Sequence, residues 1–197
     1  MKDIFDYLKD NVTVVGLSGT AGSGKDYVAK EYFFKKLGFH NVSLAWHFKI
    51  QCISHGEATY EEVFDTKPPR VRRLLQILGT EQGRDVWGED IWVNTMFAWM
   101  TLYHIDWGIN KFVIPDVRFP NELKAIQNLG GSVYRVIGDR QGNLTDEAWL
   151  HSSENSLTDD MNIYNGFINN NQGSNLEEQI NFILQEISNG QMASVGQ

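Results

Sequence analysis

Apolar positions along this 197-residue chain alternate between two periods. Residues 12–17, Val-Thr-Val-Val-Gly-Leu, form a near-continuous apolar run of the kind found in a strand buried on both faces of a parallel sheet. A glycine-rich stretch follows directly, and residues 25–37 then read as a helix that closes near Gly38. A short second strand is expected over 41–45, followed by a mainly helical region over 46–107. Pro68-Pro69 breaks that region, at a place where prolines suit the entry of the next helix. Trp92, Met96, Trp99, Met100 and Tyr103 recur at helical spacing and read as core, with Trp92 able to face a cleft. A third strand over 111–115 ends at Asp116, a helix over 119–129 stops at Gly130-Gly131, and 132–137 is another strand. The polar stretch 138–160 reads as a mobile lid, because an apolar stretch over 163–169 and a helix over 175–187 follow and complete the fold. The tail, 188–197, is expected to be disordered.

Strands alternating with helices, five strands in all, predict an α/β fold. Its centre is a five-stranded parallel sheet flanked by helices, with ligands at the carboxyl ends of the strands. A single domain over 1–197 accommodates this order and can bury a substantial core. The long helical insertion over 46–107 exceeds what a simple nucleotide switch requires and suits a second pocket, one that holds an acceptor.

Composition narrows the partners. A formal charge of −8 argues against general nucleic-acid binding, which needs a broad basic face. Yet between residues 67 and 84 the chain carries Lys67, Arg70, Arg72, Arg73 and Arg84 against Glu81, a local +4 that leaves −12 for the remainder. A phosphate on a small substrate is the simplest partner for such an island. Cys52 is the single cysteine, so no intramolecular disulfide forms and a reducing compartment is expected. It reads as a buried apolar residue more readily than as a nucleophile. The N-terminal stretch is too acidic and too short of apolar residues for a signal peptide. Residues 91–107 are too polar to span a bilayer, being interrupted by Asn94, Thr95, Thr101, His104 and Asp106. A cytoplasmic protein with no membrane and no nucleic-acid partner is expected. His40, His47, His55 and His104 show no zinc-ligand spacing.

The stretch Gly19-Thr20-Ala21-Gly22-Ser23-Gly24-Lys25-Asp26 carries the chemistry. Glycines let the backbone curl so that successive N–H groups face one anion. The following helix adds its positive end, and Lys25 reaches the β and γ phosphates of a nucleoside triphosphate. This makes the fold a P-loop NTPase, with Ala21, Gly22, Ser23, Gly24, Lys25, Asp26 and Tyr27 as the ATP-binding set. Asp26 stands where Ser or Thr usually supplies a hydroxyl to Mg²⁺, and its carboxylate could hold the ion directly or through water.

In the basic island, Arg72, Gln76, Gly79 and Thr80 are spaced to lie along one face at the end of the helix that starts near Pro69. Arg72 can grip a phosphate by two bonds, Gln76 can read a base edge, and Gly79 with Thr80 can admit a sugar or base close to backbone. A solvated basic helix surface is the alternative.

With those residues in place, the chain resembles the deoxynucleoside monophosphate kinases of bacteriophages. The matching blocks are the loop at 18–26, the Val71-Arg72-Arg73-Leu74-Leu75-Gln76-Ile77-Leu78-Gly79-Thr80 helix, Ile91-Trp92-Val93 and Val113-Ile114-Pro115-Asp116-Val117-Arg118. The segment from His151 to Glu154 and Ile168-Asn169-Asn170 complete the set, all in the same order. Asp after the loop lysine is a trait of that family. The resemblance implies ATP-dependent phosphorylation of a deoxynucleoside monophosphate, assisted by Mg²⁺. It implies that Phe48 and Lys49 border the acceptor together with Arg72, Gly79, Thr80 and Trp92, and it admits a homodimer and a phage origin in a host cytoplasm. Lys25 and Mg²⁺ are expected on the β and γ oxygens, with Arg72 and Arg118 on the acceptor phosphate and the moving group. Asp116 is expected in the Mg²⁺ water shell or orienting Arg118. Arg84 reads either as a phosphate ligand or as an ion pair with Asp85 or Glu89. Arg140 of the lid reads as an ATP ligand or as an exposed arginine, and His151 with Glu154 as an ordering pair or as ligand contacts. A kinase for another small phosphorylated acceptor, of the dephospho-coenzyme A or phosphomevalonate type, shares the loop and fold. A non-catalytic nucleotide switch is the rival of a different class. The guanine-reading Asn/Thr-Lys-x-Asp pattern of a GTPase is absent, since Asn110-Lys111 is followed by Phe112-Val113.

Overall fold

The computed structural model describes residues 4–138, 157 and 161–195, and the chain divides into two compact units. The sheet unit comprises Val12–Asn41 and Asn110–Gln197, and the helical unit Met1–Asn11 and Val42–Ile109. Among the described residues, no helix is long and apolar enough to cross a membrane.

In the sheet unit, strands β1 (Thr13–Ser18), β2 (His40–Asn41), β3 (Lys111–Val117), β4 (Ser132–Ile137) and β5 (Gly166–Asn169) form one sheet. Their order is β2-β3-β1-β4-β5 and every pairing is parallel. This is the expected five-stranded parallel α/β architecture, consistent with a P-loop kinase fold. β1 lies in the middle, with Val15 and Leu17 fully buried, as an apolar run covered on both faces requires. The helix after β1, Lys25–Tyr27 continuing with wider π-type winding over Val28–Phe34, presses Val28, Ala29 and Phe33 onto one face. The C-terminal helix, Leu176–Val195, adds Ile180 and Ile183 to the same cluster, which includes Val113, Val136 and Ile168. Phe33 and Phe39 meet edge to face at 5.3 Å. Each such side chain, taken from water to full burial, contributes about 1.5–3 kcal/mol.

Three boundaries differ from the pattern-based expectation. β2 pairs only at His40 and Asn41, opposite Phe112 and Val113; Val42 and Leu44, which are buried, already belong to the helical unit. A short apolar run does not reveal which core it enters. β3 extends to Val117, and its register against β1 shifts between Gly16 and Ser18, so the pairing is irregular beside Pro115 and Asp116. Proline has no N–H for the ladder, and irregularities of this kind re-aim side chains at strand ends. The closing helix continues to Val195, through the stretch expected to be disordered. Gly190 costs only about 1 kcal/mol in a helix, and Met192 and Ala193 beyond it are good helix formers.

In the helical unit the elements are α1 (Ile4–Asn11), then Trp46–Ser54, a widely wound turn Glu62–Thr66, Pro69–Gln76 running into the π-type stretch Ile77–Arg84, Asp85–Trp87, and Ile91–Trp107. The first of these was not anticipated. It buries Leu8 and sets Phe5 at 6.2 Å from Phe97 and Tyr7 at 5.8 Å from His104. On the Ile91–Trp107 helix, Trp92, Val93, Met96, Phe97 and Met100 are buried, whereas Trp99 is 43% exposed. The buried face is turned toward Val93 and Phe97, which moves Trp99 to its border and corrects its expected place in the core. Helix entry at Pro69 is as expected, with Lys67 in a left-handed conformation at φ 45° just before it.

Cys52 packs with Ala58, Val63 and Val71. Burial pushes its thiol above the ordinary range, and the nearby Glu57 charge adds to the effect. The thiolate fraction is therefore small at neutral pH. In a thiol-labelling assay at pH 8 the native protein is expected to react far more slowly than the urea-unfolded chain. Equal rates would contradict this burial.

Candidate active site

β1 delivers the chain into the phosphate loop at Ser18, which is buried. Gly22 and Gly24 adopt left-handed conformations, φ 82° and 85°, which glycine enters without the steric cost other residues meet. The Ser23 N–H donates to the Thr20 carbonyl at 3.1 Å, closing the turn between them. Gly24 caps the next helix, its carbonyl accepting from the Val28 N–H at 3.0 Å. Lys25, the first helical residue, is 92% buried, being 8% exposed, while Asp26 and Tyr27 stand exposed on the first turn and Ala21 is half-buried. The Ser23 hydroxyl is buried with no hydrogen-bond partner among the described residues. Curled main chain, a helix start and an ammonium at one place favour a polyphosphate.

Two further supports come from distant parts of the sheet unit. Asn170, just past β5, donates from Nδ2 to the Ser23 carbonyl at 3.0 Å. Arg135 of β4 sits opposite Ser18 in register, is 7% exposed, and donates from Nη1 to the Ser18 hydroxyl at 3.2 Å. Its guanidinium lies 5.8 Å from the Tyr164 ring centre. Neither residue was anticipated as part of the site. Residue spacing alone does not show which strand ends flank a loop.

At the carboxyl end of β3, Asp116 and Arg118 are half-buried. The helix Pro120–Asn128 begins immediately after, and Glu122 in its first turn accepts from the Arg118 N–H at 2.7 Å and the Phe119 N–H at 3.0 Å. Glu122 is 4% exposed, so this carboxylate holds the main chain that carries Arg118. Here a signal existed, an acid three residues after the helix boundary with Pro120 between.

The helical unit holds the basic island. Arg70 is engaged by Glu62 at 2.8 Å and by the Glu57 carbonyl at 2.7 Å, and Arg73 by Glu81 at 2.7 Å. The Glu62 carboxyl is held below its usual range, first by the Thr59 N–H and then by Arg70. Arg72 differs. It is exposed, its Nε donates to the Lys67 carbonyl at 2.9 Å, and among the described residues it has no carboxylate partner. Gln76 and Thr80 are half-buried and Gly79 is buried. The change to π-type winding at Ile77 takes the four residues off a single regular α-helical face.

Phe48 and Trp92, expected against the acceptor, are 9% and 8% exposed and pack edge to face at 4.9 Å. The Trp92 indole N–H donates to the Gly79 carbonyl at 2.7 Å. A Cβ on Gly79 would stand 3.1 Å from Phe48 Cζ. These rings therefore support the Gly79 backbone from beneath. Lys49 lies with its ammonium 5.1 Å from the Phe64 ring centre, and Arg84 is 8% exposed. Of the sequence-derived residues, Lys25, Asp26, Asp116 and Arg118 belong to the sheet unit, and Phe48, Lys49, Arg72, Gln76, Gly79, Thr80, Arg84 and Trp92 to the helical unit. Arg140, His151, Glu154 and nearly all of the expected lid lie outside the described residues.

Residues 30–180 match the family model described as Deoxynucleotide monophosphate kinase. That span begins after the phosphate loop and includes the basic helix, the end of β3 and Asn170. The chain belongs to the deoxynucleotide monophosphate kinase family. A protein of Acanthamoeba polyphaga mimivirus, described as "Putative deoxynucleotide monophosphate kinase", is 29% identical over 164 residues, covering 74% of this chain and 82% of that protein. Membership of this kinase family makes the chain a phosphotransferase and implies a nucleotide and a deoxynucleotide monophosphate as its substrates.

The Trp92 to Gly79 bond generates a prediction within the kinase scaffold. Trp92→Phe keeps an aromatic ring but removes the side-chain donor from the Gly79 carbonyl, at a cost of about 0.5–1.5 kcal/mol. Urea denaturation should show a lowered midpoint with an unchanged slope. An unshifted midpoint would mean that the indole N–H does not carry this support.

Proposed function

We propose that the protein transfers the γ-phosphoryl group of ATP to the phosphate of a deoxynucleoside monophosphate, forming a deoxynucleoside diphosphate and ADP. The phosphate loop carries this reading. Left-handed Gly22 and Gly24, a buried Lys25 and a helix start form a polyphosphate cradle at the carboxyl end of the central strand. Family membership supplies the acceptor class. Arg72 supports it, as an exposed guanidinium with no carboxylate partner among the described residues, suited to a bidentate grip on phosphate.

The acceptor is already an anion, so the chain needs no general base. Its work is alignment and charge neutralisation. Lys25 would bind the β and γ oxygens, Arg72 the acceptor phosphate, and Arg118 the moving group, with Glu122 fixing the backbone beneath Arg118. Gln76, Gly79, Thr80, Lys49 and Arg84 would complete the acceptor side. The donor set fits Mg²⁺, since Asp26 on the exposed first turn and Asp116 at the irregular end of β3 offer the hard oxygen ligands that this ion takes beside phosphates. When bound, Mg²⁺ neutralises triphosphate charge. Resemblance to bacteriophage members supports a phage-encoded enzyme of deoxynucleotide supply, acting in a host cytoplasm.

The test is ADP formation with each of the four deoxynucleoside monophosphates, their ribose counterparts and dephospho-coenzyme A. Turnover that depends on a deoxynucleoside monophosphate is expected. Slow hydrolysis indifferent to every acceptor would overturn the proposal in favour of a switch. Lys25→Ala is expected to abolish transfer with an unchanged circular dichroism spectrum. Arg72→Ala should cost about 2–5 kcal/mol, read chiefly as a raised acceptor KM. Arg73→Ala, whose guanidinium is already paired with Glu81, should stay close to wild type. Equal effects at positions 72 and 73 would count against this acceptor site.

A further inference from the structure

The Ser23 carbonyl is enclosed by the ends of two strands that lie far from it in sequence. Asn170 donates to it from Nδ2 at 3.0 Å, and Gly138, just past β4, lies so near that a Cβ there would stand 2.5 Å from the same oxygen. Asn170 is itself anchored. Its N–H donates to the Ile137 carbonyl at 2.6 Å, and Gln179 of the C-terminal helix clasps the preceding residue. The Gln179 side chain accepts from the Asn169 N–H at 2.8 Å and donates to the Asn169 carbonyl at 3.1 Å. The amide also lies directly beside Gly24, where a Cβ would collide with Asn170 Nδ2.

A trans peptide is planar, so its C=O and N–H point in opposite directions. The Ser23 carbonyl and the Gly24 N–H belong to one peptide. Drawing the carbonyl toward Asn170 therefore turns the Gly24 N–H away from the strand ends, into the hollow formed by the loop. We infer that Asn170 is a positioning residue for nucleotide phosphate, acting through the Ser23–Gly24 peptide; the inference rests on the phosphate-loop reading above. Its amide orients a main-chain donor in advance and touches no reacting atom. Preorganised donors of this kind bind charge without having to reorient as the ligand arrives.

The experiment is calorimetric titration of ADP with Mg²⁺ into the wild type, Lys25→Ala, Asn170→Ala and Asn170→Asp, with KM measured separately for ATP and for the acceptor. Asn170→Ala should weaken ADP about tenfold and raise the ATP KM in parallel, leaving the acceptor KM unchanged. Asn170→Asp is nearly isosteric but presents an oxygen to the Ser23 carbonyl, so its loss should be at least as large. Relative to wild type it should recover as pH falls from about 7 toward about 4.5, where the carboxyl beside the Ser23 carbonyl takes up a proton and can donate again. A merely structural role would not give that recovery or the ATP-specific split. Unaltered ADP affinity in folded Asn170→Ala, or equal changes in both KM values, would overturn the inference. Failure of the wild type itself to bind ADP would instead overturn the phosphate-loop reading.

Discussion

An acidic chain whose family implies two polyanionic substrates meets one electrostatic constraint: positive potential has to be concentrated at a few points. The chain answers with main-chain N–H groups, which add no net charge, at the loop around Gly22 and Gly24, and with Lys25 at the head of the following helix. In the basic island, the same chemistry separates residues that look equivalent in sequence. Arg70 and Arg73 are drawn onto Glu62 and Glu81, whereas Arg72 keeps its terminal nitrogens clear of any carboxylate among the described residues. The net charge of −8 therefore says little about the local field that a phosphate would meet.

Holding such donors in place is a packing problem. The loop's turns are strained for any residue but glycine, and its carbonyls have to be satisfied on the side away from the anion. The sheet unit solves this with strand ends. β4 brings Arg135 to Ser18, β5 brings Asn170 to Ser23, and the C-terminal helix clasps Asn169 through Gln179. At the end of β3, buried Glu122 does the same for the main chain of Arg118. In the helical unit, Trp92 and Phe48 hold the Gly79 backbone. Large buried side chains thus set the shape of polar segments that they do not themselves present to solvent.

Much of this was legible from sequence. The run of Val14, Val15 and Leu17 into a glycine loop, the alternation of strands with helices, and the proline entry at Pro69 each rest on a local rule with a short range. The same rules misplaced Val42 and Leu44, because an apolar run says that it will be buried and not in which core. They set Trp99 inside, because five residues at helical spacing define a stripe but not the exact direction in which its neighbours lie. They also missed the first helix, whose few apolar positions gain meaning only against Phe97 and His104.

What the sequence by itself determined was the set of local conformations: the strands, the glycine loop and the helix starts. Those follow from steric limits on φ and ψ and from the period of apolar residues, which act over a few positions. Only the tertiary structure decided that Asn170 supports Ser23 across 147 residues, that Arg135 reaches Ser18, and that Arg72 rather than Arg70 or Arg73 stays without a carboxylate among the described residues. Hydrogen bonds and ion pairs depend on distance in space, and chain order constrains that distance only after the sheet has set its strand order.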